Sequence, residues 1–320
     1  MRINNFYLLA ISIALITMSN QHVAKANKFE PYALNGGLVS AISGPDYVII
    51  ASDSRLSDGG YNILARDYIG SRIWAATDTS GGLVEKDGSV RITAKEVFIT
   101  DTAVSGKSCR IRKQFFESQN CPTFVASAGC AGDCEALKRK IRSEIISHQN
   151  WNYGENTLTS TGVANLLGQT LYSRRGFPFY SFCICAGLQK NGNGLVHIYD
   201  AIGSHERVAV ACAGNAKEML QPVLDRMFLT ASSTQAHDLR KDGKSVLAAN
   251  QRTGLKLRPP VETFVSCDEK RALTMLVRGY RAVAEREISI GDNLVVTILK
   301  RHNLGKSISM EVMRFPLKKH

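Results

Sequence analysis

Tyr32 to Arg55 reads YALNGGLVSAISGPDYVIIASDSR, and the rest of the chain is organised around it. It holds two short apolar runs, Leu38 to Ile42 and Tyr47 to Ala51, separated by Ser43-Gly44-Pro45-Asp46. Turn residues between two β-branched runs predict a β-hairpin, because glycine and proline supply the backbone angles of a tight reversal. Gly36-Gly37 opens the first run, and Asp53-Ser54-Arg55 closes the second.

Outward from the hairpin, Leu56 to Tyr61 reads as a turn leading into a short extended piece. From about Tyr68 to Asn120 there are strand-like runs such as Val97 to Ile99 but no sustained helical period, and a stretch of this kind reads as an insertion. Thr123 to Gly129 is a buried strand. A helix is expected from Asp133 to about His148, with Leu137, Ile141 and Ile145 on one face, and a second from about Thr157 to Tyr172, with Val163, Leu166, Leu167 and Leu171 buried. Three strands follow: Phe179 to Leu188, apolar on both faces as a strand between two layers should be, then Gly194 to Asp200, then Arg207 to Cys212. A third helix is placed at Ala216 to Phe228. The polar stretch from about Thr230 to Thr263 reads as a second insertion. A fourth helix is expected to open on Ser266, with Glu269 completing a capping box and Leu273, Leu276, Val277 and Tyr280 facing inward. Leu294 to Lys300 and Ser307 to Val312 close the chain as strands. This order of strands, helix pair, strands, helix pair and strands predicts an α+β protein.

The 320 residues are 44% hydrophobic, enough for a packed core, which excludes a disordered protein. The net charge of +12 raises nucleic acid or an acidic membrane as partners. The basic residues are scattered, however, and neither zinc-finger spacing nor an RNA-binding aromatic signature is present, so neither partner is expected. The eight cysteines make no paired CxxC set for zinc, and they are too sparse for a secreted disulfide scaffold. Reduced thiols and no metal or cofactor are expected. The N-terminus points the other way: Arg2, an apolar run from Phe6 to Met18, and Ala24-Lys25-Ala26 have the form of a secretory signal. Residues 1–28 are therefore a leader with three open readings, namely a signal, a propeptide, or sequence preceding the true start.

The Gly-Gly pair opening a strand, the tight turn and the ASDSR ending resemble the start of a proteasome β subunit. Pro31 to Gly37, Tyr172 to Tyr180 and Met219 to Pro222 narrow the resemblance to the β type at the sixth ring position, although Gly176 stands where a bulky residue is expected. The resemblance implies the N-terminal nucleophile hydrolase fold, a four-layer αββα sandwich. On this reading residues 29–313 form one domain carrying insertions near 68–120 and 230–263, and residues 314–320 are a basic tail.

Active members of that family expose a threonine as nucleophile and free amine by cutting after a glycine. In this sequence the resemblance places Gly37 at the nucleophile position. Asp53 is retained, with a reading as a buried aspartate bonding backbone preferred to a catalytic one. The activating lysine is absent, its position falling near Gly70. Gly214-Asn215 replaces a serine, and Glu287 to Gly291 replaces an Asp-x-x-Ser-Gly segment. Gly129 matches a glycine that contacts substrate in active subunits, and glycine also permits a tight strand-to-helix turn. Ser40 and Ser43 are nearby hydroxyls that cleavage after Gly36 would not release. A hydroxyl is a weak nucleophile without a base and a cation to activate it, and Gly37 has no hydroxyl at all. The expectation is a non-catalytic subunit of the 20S core in cytoplasm and nucleus, with α and β subunits as partners. The alternatives are an active threonine-type endopeptidase subunit and a secreted sandwich-fold binding protein.

Overall fold

The expected hairpin forms in the computed structural model as β1 (Leu38–Ser43) and β2 (Tyr47–Asp53), paired antiparallel from Val39↔Ser52 to Ser43↔Val48. The structure describes residues 32–318 apart from 60–61, 78–88, 91–97, 100–108, 118–120, 152–157, 239–263 and 303–306. The leader therefore lies outside the described residues. Residues 33–320 form one compact unit. In chain order the further elements are β3 (Leu56–Ser57), β4 (Ile63–Ala65), β5 (Ile73–Ala75), β6 (Phe98–Ile99), β7 (Cys109–Glu117), β8 (Phe124–Gly129), α1 (Ala131–Trp151) and α2 (Ser160–Ser173). Then come β9 (Ser181–Leu188), β10 (Gly194–Tyr199), β11 (His205–Arg207), β12 (Val210–Gly214), α3 (Lys217–Asp238), α4 (Glu269–Ala284), β13 (Asn293–His302) and β14 (Ser307–Pro316).

Side-chain alternation sorts these elements into layers. The order β12-β1-β2-β13-β14-β7-β6 makes one sheet and β11-β10-β9-β8-β5 another. Val39, Ala41, Val48 and Ile50 meet Phe124, Ala126, Ile184 and Ala186 between the sheets. The opposite face of β1 and β2, carrying Leu38, Ile42, Ile49 and Ala51, packs on Leu220 and Leu224 of α3 and on Leu276, Val277 and Tyr280 of α4. Val125, Cys183 and Cys185 turn the other way, onto Leu137 and Ile141 of α1 and Val163 and Leu167 of α2. Two sheets buried on both faces and covered by helix pairs are the αββα sandwich. Each fully buried Val, Leu or Ile contributes about 1.5–3 kcal/mol, so these three apolar layers dominate the fold's stabilisation. Among the described residues no helix is long and apolar enough to cross a membrane.

Five sequence expectations are corrected. The run Arg207 to Cys212 is not one strand: β11 pairs with β10, while β12 pairs with β1 in the other sheet. The chain changes sheets at Val208 and Ala209, whose backbone bonds go to Val196 and Ser43 respectively. Part of the stretch 68–120 lies inside the fold: Trp74 of β5 is fully buried, and β7 pairs with β14 from Ser307↔Glu117 to Arg314↔Arg110. A three-residue strand is too short to display a period. Helix α3 runs ten residues beyond Phe228 into the second polar stretch, and β14 continues through Pro316 with Phe315 buried.

The fifth correction concerns the cap of α4. Asp268, not Ser266, is extended at the helix start and accepts a bond from the Lys270 amide at 3.3 Å, while Val265 is tied to the Ser43 carbonyl outside the helix. Asp268→Ala is expected to cost about 1 kcal/mol and Ser266→Ala close to nothing. Melting temperatures of the two variants, compared side by side, check the assignment.

Candidate active site

The site is built where β1 begins. Gly36 and Gly37 both adopt left-handed backbone, with φ of 68° and 93°. A side chain there is strained, which accounts for the Gly-Gly pair. The Gly37 carbonyl accepts from the Asn215 amide at 3.0 Å, directly after β12, and a Cβ on Gly214 would strike that carbonyl. The strands that carry Gly37, Asp53 and Gly214-Asn215 are neighbours in one sheet, so the structure gathers all three positions.

The sequence names no cation for the site, its lysine position falling near Gly70, but Arg72, just ahead of β5, brings one. Its buried guanidinium donates from Nη1 to the Gly36 carbonyl at 2.7 Å, and from Nη2 to the carbonyls of Arg55 at 3.1 Å and Asn35 at 3.3 Å. A Cβ built on Gly37 would overlap the guanidinium group itself. Arginine therefore fills the volume that a nucleophile's side chain would need. A search for a missing lysine passes over this residue. The signal available in the sequence was a single basic residue between Gly70 and the apolar pair Ile73-Trp74.

Asp53 lies at the end of β2 and is fully buried. Its Oδ1 accepts from the Leu38 amide at 2.9 Å and its Oδ2 from the Arg55 amide at 3.3 Å, so it ties the start of β1 to the chain leaving β2 by bonding backbone. Burial pushes its carboxyl up to about 6, against the opposing pull of Arg72 and the amides of Leu38, Arg55 and Gly291. The folded chain thus holds this proton to higher pH than the unfolded chain, whose value is about 3.9. It follows that Asp53 favours folding most below about pH 4 and progressively less as pH rises through 6. Relative to Asp53→Asn, the wild-type chain should gain on the order of 2 kcal/mol of stability between pH 7 and pH 4. Thermal denaturation of both proteins across that range tests the sign.

The segment that precedes Gly37 is also seated. Asn35 donates its amide to the Gly129 carbonyl at 3.1 Å, and its own carbonyl accepts from Ser57 at 3.2 Å. Its side chain bridges Ser57 O at 3.0 Å and the Ala131 amide, the first of α1, at 2.9 Å. The main-chain bonding at Gly129 and Ser57 is therefore used by the chain itself. Gly129 has φ of 136°, and a Cβ there would strike the Tyr180 carbonyl, so the glycine has a structural reason of its own.

Behind the cleft stands a buried ion pair. Arg55 Nε meets Asp292 Oδ2 at 2.8 Å, and Arg55 Nη1 donates to the Ile288 carbonyl at 2.6 Å. Burial works to raise the Asp292 carboxyl, but the hydrogen bonds from Arg55 and Arg66 outweigh it and hold the group below the usual range. Ser289 donates to Glu287 within the degenerate segment. Ser40 bonds Tyr280 of α4 at 3.0 Å, and Ser43 donates to the Ala209 carbonyl at 3.3 Å, so neither hydroxyl serves the Gly37 site.

Chemically, the cluster holds backbone, and position 37 carries no side-chain oxygen or sulfur. The Arg72 guanidinium offers hydrogen-bond donors only, with no acceptor atom. Among the described residues no cluster of His, Cys, Asp and Glu could hold a metal ion. The seven cysteines with described side chains are free thiols, and burial pushes those of the sheet upward; Cys185, for example, reaches about 12.

Comparison with known proteins gives a consistent result. A family model described as proteasome subunit matches residues 75–253, more than half of the chain. Proteasome subunit beta type-1 from Danio rerio is 29% identical over 282 residues, covering 88% of each chain. The protein of the same name from Arabidopsis thaliana is 28% identical over 283 residues, covering 88% of this chain and 94% of its own. That from Dictyostelium discoideum is 26% identical over 291 residues, covering 91% and 93%.

Proposed function

We propose that this chain, which belongs to the proteasome subunit family, is a non-catalytic β subunit that completes a seven-membered ring of the 20S core and walls its proteolytic chamber. The observation that carries the non-catalytic part is Arg72, whose guanidinium lies where any side chain at Gly37 would have to go. A nucleophile position without an attacking atom is not compensated by its surroundings. Likeness to proteins named proteasome subunit beta type-1 over nearly nine-tenths of the chain supports the ring-subunit part. Its partners are other α and β subunits, and its place of work is the cytoplasm and nucleus where such particles assemble.

Size fractionation of native lysate tests this reading. The chain is expected with α and β subunits in the core-particle fraction, and isolated chain is expected to be poorly behaved, since an apolar contact surface left bare invites aggregation. A stable monomer absent from the particle, or C-terminally tagged protein confined to the secretory pathway or medium, contradicts it.

A further inference from the structure

Away from the Gly37 cleft, a pocket of about 610 Å³ opens between α2 and the turn joining β10 to β11, lined by Asn165, Gly168, Tyr172, Arg175, Ile202 and His205 among others. The backbone builds its floor. A Cβ on Gly203, whose φ is 91°, would strike the Gly168 carbonyl, and one on Gly168 would lie 3.0 Å from His205 Nδ1. Only glycines at both positions let helix and turn approach this closely. The turn is rigid, since Asp200 Oδ1 accepts from the amides of Ile202 at 3.0 Å and Ser204 at 2.8 Å. The His205 ring stacks on buried Tyr199 with centroids 4.9 Å apart. The concavity is therefore preformed, and its size falls in the ~300–1,000 Å³ range of ligand-holding clefts.

Its rim has the wrong character for idle surface. Ile202 at the turn tip is 46% exposed, and Tyr172 at the end of α2 is 58% exposed with the Arg175 guanidinium 4.7 Å above its ring. Phe177, three residues after Arg174, is 61% exposed. Tyrosine and arginine around a preformed pocket are the composition of an interface hot spot. Charge narrows the partner further. Arg174, Arg175 and His205 stand at the pocket or beside it, no carboxylate among the described residues lines it, and Asp200 is engaged by turn amides.

We propose that this pocket receives a segment of a neighbouring subunit that presents an apolar side chain beside an aspartate or glutamate, the apolar group between Tyr172 and Ile202 and the carboxylate on Arg175. The inference rests on the ring-subunit reading and adds which face of the chain is engaged. A photoreactive amino acid at position 202, activated in purified core particles, is expected to give an adduct with another subunit that maps to a peptide with an acidic residue next to the cross-linked position. In competition with wild type, Arg175→Glu should enter particles about tenfold less well, because it sets like charges together at the contact. Arg175→Lys should retain most incorporation, and Arg139→Glu, on the exposed face of α1, should match wild type. Particles that contain the chain but give no intersubunit adduct from position 202, or that take up Arg175→Glu as well as wild type, overturn the docking site and leave the ring reading standing. Absence of the chain from particles overturns both.

Discussion

Gly37→Thr is expected to leave the Gly36–Gly37 peptide bond uncut, to give no adduct with a threonine-directed proteasome inhibitor, and to lower incorporation into particles. The hydroxyl supplied by the substitution would not meet an empty catalytic pocket. Its Cβ would fall on the Arg72 guanidinium, and the backbone there has a φ of 93°, which a β-branched residue avoids. Overpacking a filled site costs about 1–3 kcal/mol, and left-handed backbone at a non-glycine residue costs on the order of 1–3 kcal/mol more. Moving the guanidinium aside would break its bonds to the carbonyls of Asn35, Gly36 and Arg55. Even a threonine that found room would have a neighbouring cation but no base, and a positioned base supplies about 10²- to 10⁴-fold of rate. Adding Arg72→Lys to Gly37→Thr should recover part of the lost incorporation, since the slimmer side chain frees space. Quantitative mass spectrometry of particles from cells carrying each variant reads both effects.

Arg55→Ala should be among the most destabilising single substitutions in the chain. Arg55 is wholly buried, and its removal strands the equally buried Asp292 with Arg66, which is half exposed and therefore a weak partner. Breaking a buried ion pair from one side costs about 3–5 kcal/mol, which for a chain of this size lowers the melting temperature by on the order of 10 °C. Asp292→Asn should cost less, because the amide oxygen still accepts and the left-handed backbone at this position, φ 62°, suits asparagine. The sign of the pH dependence follows from the depressed Asp292 carboxyl: its stabilisation is present above the unfolded value of about 3.9 and fades as pH falls further, through its lower folded value. That acid-side loss should shrink in Arg55→Ala, which acid denaturation curves would show.

The long elements were legible because each repeats its signal. Leu137, Ile141 and Ile145 declare the buried face of α1, and the doubly apolar run at Ser181–Leu188 declares a strand with cores on both sides. Short and switching elements were not. Nothing in a run such as Val208 to Cys212 marks the point where β11 leaves one sheet and β12 joins another, because both environments are apolar. The number of layers entered through family resemblance, since periodicity alone reaches only α+β. At the site, Gly37, Asp53 and Gly129 were named through the family resemblance, but Arg72 was not. A search for a particular residue type at a fixed offset overlooks a different cation two residues along that lies against Gly36 and Gly37. Asn35 was equally hidden, since its role depends on Gly129, Ser57 and Ala131, which are distant in sequence.

Intact-mass and N-terminal mass spectrometry of this subunit, recovered from purified core particles treated with a threonine-directed inhibitor, tests the central claim most directly. The subunit is expected to be present, with the peptide bond between Gly36 and Gly37 intact, and to carry no inhibitor while other subunits of the same particles do. A subunit whose N-terminus is Gly37, or one that bears the inhibitor, would contradict it.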